Sequence, residues 1–399
     1  MSDAKITCSE CGAQVHAIQL HLRDAHPTMT IEEYSAKYPD APVLSEMAKR
    51  KIAERNSQRA AAVPAAETTT MEMTTEQPAA SVSALVPKNG VIKKPFNEIF
   101  NLGRVKSALN SRGEPIPIST MANHGFDEYV PTPSDNYVYD IDELKDVVLA
   151  IEMKIPCYVW GHKGAGKTEL FEQIAARTNH PAIRVQHTVN TEESHIVGQW
   201  TVKGGETKFE LGPLPMAMMN GWMYVADEYD FALPSVLSVY QAVLEGKSLM
   251  IKEADAENRI IKPHPNFRFC ATGNTNGSGD ETGLYQGTNL QNSANYDRFG
   301  MVIHKKYMKK AAESQILQNQ VGLTKEDADK LVDFATVVRE AYEGAKISDV
   351  ISPRTLIYAA KIGVMRASFR KGITLSFTNK LSKVDREVVD GLAQRVFGA

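Results

Sequence analysis

Short apolar runs and longer stretches of helical spacing alternate through the middle of this chain. Residues 155–160 (IPCYVW), 182–186 (AIRVQ), 222–226 (WMYVA) and 267–272 (FRFCAT) are apolar runs of strand length. Between the first two, residue 167 to about residue 178 reads as a helix. Continuous apolar strands separated by helices predict a mostly parallel α/β sheet covered on both faces. From residue 311 onward helical spacing dominates, in AAESQILQNQ, KEDADKLVDFATVVREAYEG, SPRTLIYAAKIGVMRAS and VDREVVDGLAQRVFG, which predicts a separate helical domain. Residues 51–92, rich in Ala, Thr and Pro, have no periodic apolar face and cannot repay the entropy of ordering, so they read as a flexible linker. The expected organisation is a small module at 1–50, the linker at 51–92, a lead-in at 93–136, an α/β domain at 137–310 and helices at 311–399.

Candidate chemistry sits at the ends of the predicted strands. Gly161, His162, Lys163, Gly164, Ala165, Gly166, Lys167 and Thr168 fit the phosphate-loop spacing G-x-x-x-x-G-K-[ST], after a strand and before a helix. Glycines let such a loop curl so that backbone N–H groups face phosphate oxygens, and the helix that follows adds its N-terminal dipole. Lys167 is placed to reach the β- and γ-phosphates and Thr168 to ligate Mg²⁺. Gly161 through Glu169 is thus the expected ATP-binding segment. The third strand ends in Asp227 and Glu228, at the edge where open α/β sheets bind ligands. Asp227 is expected to hold Mg²⁺ and Glu228 to act as general base toward the attacking water. Asn274 ends the fourth strand, where an amide can orient that water. Asp297-Arg298-Phe299 allows two readings: Arg298 reaches a neighbouring subunit's phosphoryl group, or it forms a surface ion pair with Asp297.

The first fifty residues carry a second chemistry. Cys8-x2-Cys11-x9-His21-x4-His26 offers two thiolates and two imidazoles, the donor set of a tetrahedral Zn²⁺ site. His16 is a spare candidate ligand. The short gap, and the MTIEEYSAKYP that follows, resemble the compact zinc finger of Ros/MucR-type bacterial regulators. A module of this size rarely folds without a staple, so the metal has a structural reason to be there.

Bulk properties narrow the classes. The 399 residues include 43% hydrophobic positions, enough for several domains with a large core, and the net charge of −3 excludes a bulk polyanion binder. Four cysteines in a chain of this length are not a secreted disulfide framework, and Cys157 and Cys270, alone in apolar runs, read as small core residues. No signal-peptide pattern and no stretch near ~18 apolar residues occurs, so a cytoplasmic protein without a membrane span is expected. The 305–310 run KKYMKK reads as a solvated basic face.

The residues also carry a resemblance. HPNFRFCATGNTNGSGDETGLYQGTNLQNSANYDRFG (264–300), VADEYD (225–230), QAVLEGKSLMI (241–251) and SPRT (352–355) closely resemble the CobS family of aerobic cobaltochelatase subunits, in the MoxR branch of the AAA+ ATPases. The resemblance spans about 93–399. It implies an AAA+ P-loop domain with a C-terminal helical lid, assembled as a homo-oligomeric ring, usually a hexamer, with ATP between subunits. By that resemblance the 161–168 loop is Walker A, Asp227-Glu228 Walker B and Asn274 sensor 1. Arg298 is implied as the arginine finger acting in trans and Arg354 as sensor 2. Residues 198–213 and 248–262 are implied to be hairpins facing the ring axis or a partner. The family works with a partner carrying a von Willebrand A domain and inserts Co²⁺ into a corrin ring. The expected function is a ring ATPase that remodels a protein partner. The alternative is a DNA-associated ATPase motor targeted by the zinc module, although nucleic acid is not the favoured partner because the module's helix offers only Arg23 as a strong base.

Overall fold

Along the central strands, successive residues belong to opposite cores. Cys157, Val159, Met223, Val225 and Cys270 pack on one face of the sheet, against the helices Ile141–Glu152 and Lys167–Arg177. Tyr158, Tyr224, Ala226, Phe269 and Ala271 pack on the other, with Trp222, Tyr229, Tyr240 and Phe299. A strand with a core on each side must be apolar at every position, which is why these segments read as continuous runs rather than alternating ones.

The computed structural model describes residues 5–16, 18–26, 29, 31–39, 41, 42, 45, 47, 90–103, 105–122 and 124–398. Its first unit contains the hairpin of β1 (Ile6–Thr7) and β2 (Gln14–Val15) and the helices Ile18–Ala25 and Ile31–Lys37. Cys8, Ile18, Leu22 and Tyr34 form its core. Of the expected linker, residues 51–89 lie outside the described residues, and Val91 and Ile92 belong to a strand.

The second unit opens with the antiparallel pair β3 (Val91–Pro95) and β4 (Pro117–Met121). The main sheet then takes β5 (Cys157–Trp160) and β6 (Ala182–Gln186), followed by the hairpin of β7 (Gly198–Lys203) and β8 (Glu206–Leu211). After β9 (Met223–Asp227) comes a second small hairpin, β10 (Leu249–Met250) with β11 (Ile260–Ile261). The sheet ends with β12 (Arg268–Gly273) and β13 (Met301–His304). Its order is β13-β5-β12-β9-β6, with every pairing parallel. The fold is the AAA+ P-loop architecture, a five-stranded parallel sheet between helices. β13 is an addition to the four strands read from the pattern. Its burial alternates along MVIH because it lies at the sheet edge.

Five helices follow: Lys310–Val321, Lys325–Glu343, Pro353–Met365, Phe369–Ser376 and Lys383–Phe397. They enclose their own core around Leu331, Phe334, Leu356, Ile373 and Val389. Side-chain caps define the starts of the last four, with Thr324, Ser352, Ser368 and Ser382 each accepting a first-turn N–H. Among the described residues no helix is long and apolar enough to cross a membrane.

Candidate active site

The loop between β5 and the helix Lys167–Arg177 is held at the carboxyl edge of the sheet. Gly166, at φ +82°, is the helix N-cap and supplies no side-chain acceptor, so the first-turn amides are left for a ligand. Gly164 has φ +72°, and a Cβ there would lie 2.7 Å from Ser352 Cβ and 3.7 Å from Arg354 Cβ. The phosphate loop therefore touches the start of the lid helix Pro353–Met365, and Arg354, an exposed residue two positions into that helix, is brought beside it.

Lys167 folds back over the loop. Its ammonium donates to the Gly161 carbonyl at 2.8 Å, the His162 carbonyl at 3.2 Å and Asn274 Oδ1 at 3.0 Å. Burial pushes its pKa down to about 8, against the pull of Asp230, Asp227 and Glu228. The Thr168 hydroxyl donates to Asp227 Oδ1 at 2.6 Å, and Thr272 donates to the same oxygen at 2.5 Å. Arg184 Nε meets the other carboxylate oxygen at 2.8 Å. Burial raises the Asp227 pKa, but the bonds from Thr168, Thr272 and Arg184 outweigh it and hold the carboxyl below its usual range. A hydroxyl and an ionised carboxylate meeting at the head of the loop are hard oxygen donors of the kind Mg²⁺ takes, so this pair fits that ion.

Glu228 follows Asp227 in the left-handed region, φ +52°. Its side chain accepts from Gln186 Nε2, on the neighbouring strand, at 2.7 Å. Asp230, fully buried, fixes the opposite wall. Its Oδ2 accepts the backbone N–H of Asn274 and of Thr275, each at 2.8 Å, and the Thr275 hydroxyl at 2.9 Å.

Lys167, Thr168, Asp227, Glu228 and Asn274 thus come together at one edge. Lys163 pairs with Asp349 of the helical domain, and His162 meets Tyr285 Oη at 2.9 Å through Nδ1. Burial, with His304 and Lys167 nearby, pushes the His162 imidazole down. Ala165 is buried, and Glu169 accepts from Gln173 Nε2 at 3.0 Å. Arg298 is not joined to its own chain's loop: its partners are Glu245 Oε1, at 2.7 Å from Nε, and the Ala294 carbonyl. Of the two readings of Arg298, the ion pair takes Glu245 rather than Asp297 as its partner.

Sequence reasoning missed Thr272, Arg184, Gln186, Asp230 and Tyr285. Tyr285 lies in the GDETGLYQGT stretch that carried the resemblance, and its hydroxyl also accepts the Lys163 N–H at 3.0 Å. Arg184 and Gln186 are polar interruptions in a strand, a signal that was available in the sequence. The basic run was misread at its first residue. Lys305 is 3% exposed, donates from its backbone to the Trp160 carbonyl at 2.7 Å and pairs with Glu143. It extends the edge pairing of β13 and cannot be a solvated face. Tyr307 lies between the Lys163 carbonyl, 3.1 Å from its hydroxyl, and the Arg339 guanidinium, 4.2 Å from its ring.

Residues 157–299 match the AAA domain of the dynein-related subfamily, and residues 313–397 match the CbbQ/NirQ/NorQ C-terminal domain. The aerobic cobaltochelatase subunit CobS of Sinorhizobium sp is 35% identical over 283 residues, 68% of this chain and 84% of that protein. The chain belongs to the MoxR-type AAA+ ATPases. Protein NorQ of Paracoccus denitrificans is 25% identical over 265 residues, 66% of this chain and 94% of that protein. Midasin of Dictyostelium discoideum is 29% identical over 174 residues, 43% of this chain, and the similarity spans 3% of that much larger protein. For a MoxR-type ATPase the loop geometry has an immediate meaning, because family membership implies ATP and Mg²⁺ binding and the grouped lysine, hydroxyl and carboxylates suit both.

In the first unit, donor atoms of Cys8, Cys11, His21 and His26 lie within 4.8 Å of one another. His26 Nε2 is buried without a hydrogen-bond partner, and Cys11 Sγ is 3.1 Å from His21 Nε2. Burial alone would raise the Cys8 pKa, yet backbone N–H groups of Cys11 and Glu10 bring it below its usual value. His16 stands apart, paired with Ser45 Oγ at 3.0 Å.

Proposed function

We propose that this chain hydrolyses ATP between adjacent subunits of a homo-oligomeric ring and couples that hydrolysis to remodelling of a protein partner. The observation that carries this reading is the joining of Lys167 to Asn274 and of Thr168 to Asp227 at the mouth of the phosphate loop, with Glu228 next in the chain. Lys167 exchanges its carbonyl partners for β- and γ-phosphate oxygens. Thr168 and Asp227 hold Mg²⁺, which when bound neutralises phosphate charge. Glu228, freed from Gln186, takes a proton from the attacking water, and Asn274 orients that water. Arg354 reaches the nucleotide from the lid, and Arg298 reaches the nucleotide of the next subunit, where an added guanidinium is worth about 10³–10⁵ in rate. A hexamer, a partner with a von Willebrand A domain and insertion of a divalent metal ion into a tetrapyrrole-like ring are the specific form of this reading, supported by the similarity to CobS.

The test is turnover by purified protein with Mg²⁺. Lys167→Ala is expected to lose nucleotide binding or hydrolysis. Glu228→Gln is expected to bind ATP while turnover falls by about 10²–10⁴-fold. Near-normal hydrolysis by Lys167→Ala would contradict the reading.

For the first unit we infer that Cys8, Cys11, His21 and His26 hold Zn²⁺. Two thiolates and two imidazoles crowded together, one imidazole nitrogen lacking any partner, suit a tetrahedral ion. The metal would staple the core around Ile18, Leu22 and Tyr34 and leave the unit's surface for docking to protein.

A further inference from the structure

Glu245 follows the short helix Gln241–Leu244, far in sequence from the phosphate loop and from Arg298. Its Oε1 nevertheless accepts from Arg298 Nε at 2.7 Å, while Lys247 Nζ holds its Oε2 at 2.5 Å. The Ala294 carbonyl takes a second proton, from Arg298 Nη1. Lys247 and Arg298 together hold the Glu245 carboxyl below the usual carboxylate range, so it remains charged at neutral pH.

A guanidinium presents five N–H groups in one rigid plane. Glu245 engages the Nε N–H and Ala294 one N–H of Nη1, which leaves the other N–H of Nη1 and both N–H groups of Nη2. The contact is exposed, so as an ion pair it adds little to stability. Its effect is on orientation. A long arginine side chain has many rotamers, and an anchored acid on another element selects one of them before any phosphate arrives. Donors set in place beforehand are what a developing phosphoryl charge requires.

We propose that Glu245 is the positioning residue of Arg298, orienting the guanidinium so that its remaining N–H groups face the phosphoryl group being transferred on the next subunit. This rests on the reading of Arg298 as a finger acting in trans. Lys247 supports the arrangement by pinning the second carboxylate oxygen, so Glu245 cannot rotate away with the arginine.

Full-length Glu245→Ala and Glu245→Gln proteins are compared with Arg298→Ala for nucleotide affinity and turnover. Glu245→Ala is expected to lower kcat by about 10²-fold, as a misplaced group does, with nucleotide Kd within about threefold of wild type. Glu245→Gln keeps the acceptor oxygen and is expected to fall between the two. The double variant is expected to be no slower than Arg298→Ala alone, because both changes remove one function. Mixing Glu245→Ala subunits with Glu228→Gln subunits is expected to recover turnover, since some sites then join an intact Glu228 to an intact finger. A lesion that merely disturbs the fold would not recover in this way. If Arg298→Ala hydrolyses ATP normally, the finger reading itself fails. If Arg298→Ala is inactive and Glu245→Ala matches wild type, only the positioning role is overturned. Lost turnover in Glu245→Ala that the mixture does not recover overturns it as well.

Discussion

Lys167 is a cation kept inside the protein by carbonyls and one amide, and its pKa of about 8 records the cost of that burial. A triphosphate would reverse the balance by placing negative charge against the ammonium. Between pH 8 and 10 the nucleotide-free protein therefore carries fewer protons at this residue than the bound protein, and binding takes a proton up. At pH 8.5 the expected uptake is roughly three quarters of a proton per nucleotide. Titration calorimetry of a non-hydrolysable nucleotide in two buffers of different ionisation enthalpy measures it directly. Lys167→Arg, charged throughout, should abolish the uptake, and a wild-type protein showing none would mean the ammonium was already charged. Asp227 behaves oppositely: its bonds from Thr168, Thr272 and Arg184 favour the ionised form, so it is ready for a cation at neutral pH.

The lid helix Pro353–Met365 and the phosphate loop are coupled through one close approach. Ser352 caps the helix by accepting the Thr355 N–H at 3.1 Å and packs against Gly164. Gly164→Ala meets two obstacles, a left-handed backbone costing about 1–2 kcal/mol and a Cβ 2.7 Å from Ser352 Cβ. The loop or the lid must move, and nucleotide affinity is expected to fall about tenfold or more. Ser352→Ala removes only the cap and is expected to cost about 1 kcal/mol of stability, with a smaller effect on affinity. Fluorescent-nucleotide titration beside thermal melting separates the two effects. Wild-type affinity in Gly164→Ala would show that the lid does not depend on this contact. The hairpins β7–β8 and β10–β11 are also joined, by Trp200 Nε1 donating to the Glu253 carbonyl at 2.9 Å. Segments far apart in sequence are thereby tied into one feature beside the sheet.

At the scale of the molecule, the chain divides into two units with separate cores. Among the described residues of the first, Cys8, Ile18, Leu22 and Tyr34 form the core and Cys8 is also a proposed zinc ligand, whereas the second has its own large cores on both faces of the sheet. A strong chelator is therefore expected to release about one Zn²⁺ per chain and unfold the first unit, while ATP turnover persists. Metal analysis after dialysis, far-UV circular dichroism of the loss, and turnover measured with excess Mg²⁺ check the three parts. Unchanged dichroism after complete metal removal would argue that the cysteines and histidines do not staple this unit.

Pattern alone was enough for four of the five sheet strands, the phosphate-loop helix and the all-helical C-terminal region. Each has a local cause: apolar runs where both faces are covered, glycines before a lysine, and serine or threonine caps. The fifth strand, MVIH, was hidden because edge strands need cover on only part of their surface and so carry a weaker signal. That Lys167, Asp227 and Asn274 would lie near one another was legible because each stands at or just beyond the carboxyl end of a parallel strand. Their supports were not. Thr272, Arg184 and Asp230 act through distances that arise only when β6, β9 and β12 lie side by side, and Arg298 finds Glu245 across a separation of 53 positions. Local spacing determined which groups could do chemistry; the parallel packing of distant strands decided what holds each of them in place, because a hydrogen bond between remote segments leaves no periodic trace in the sequence.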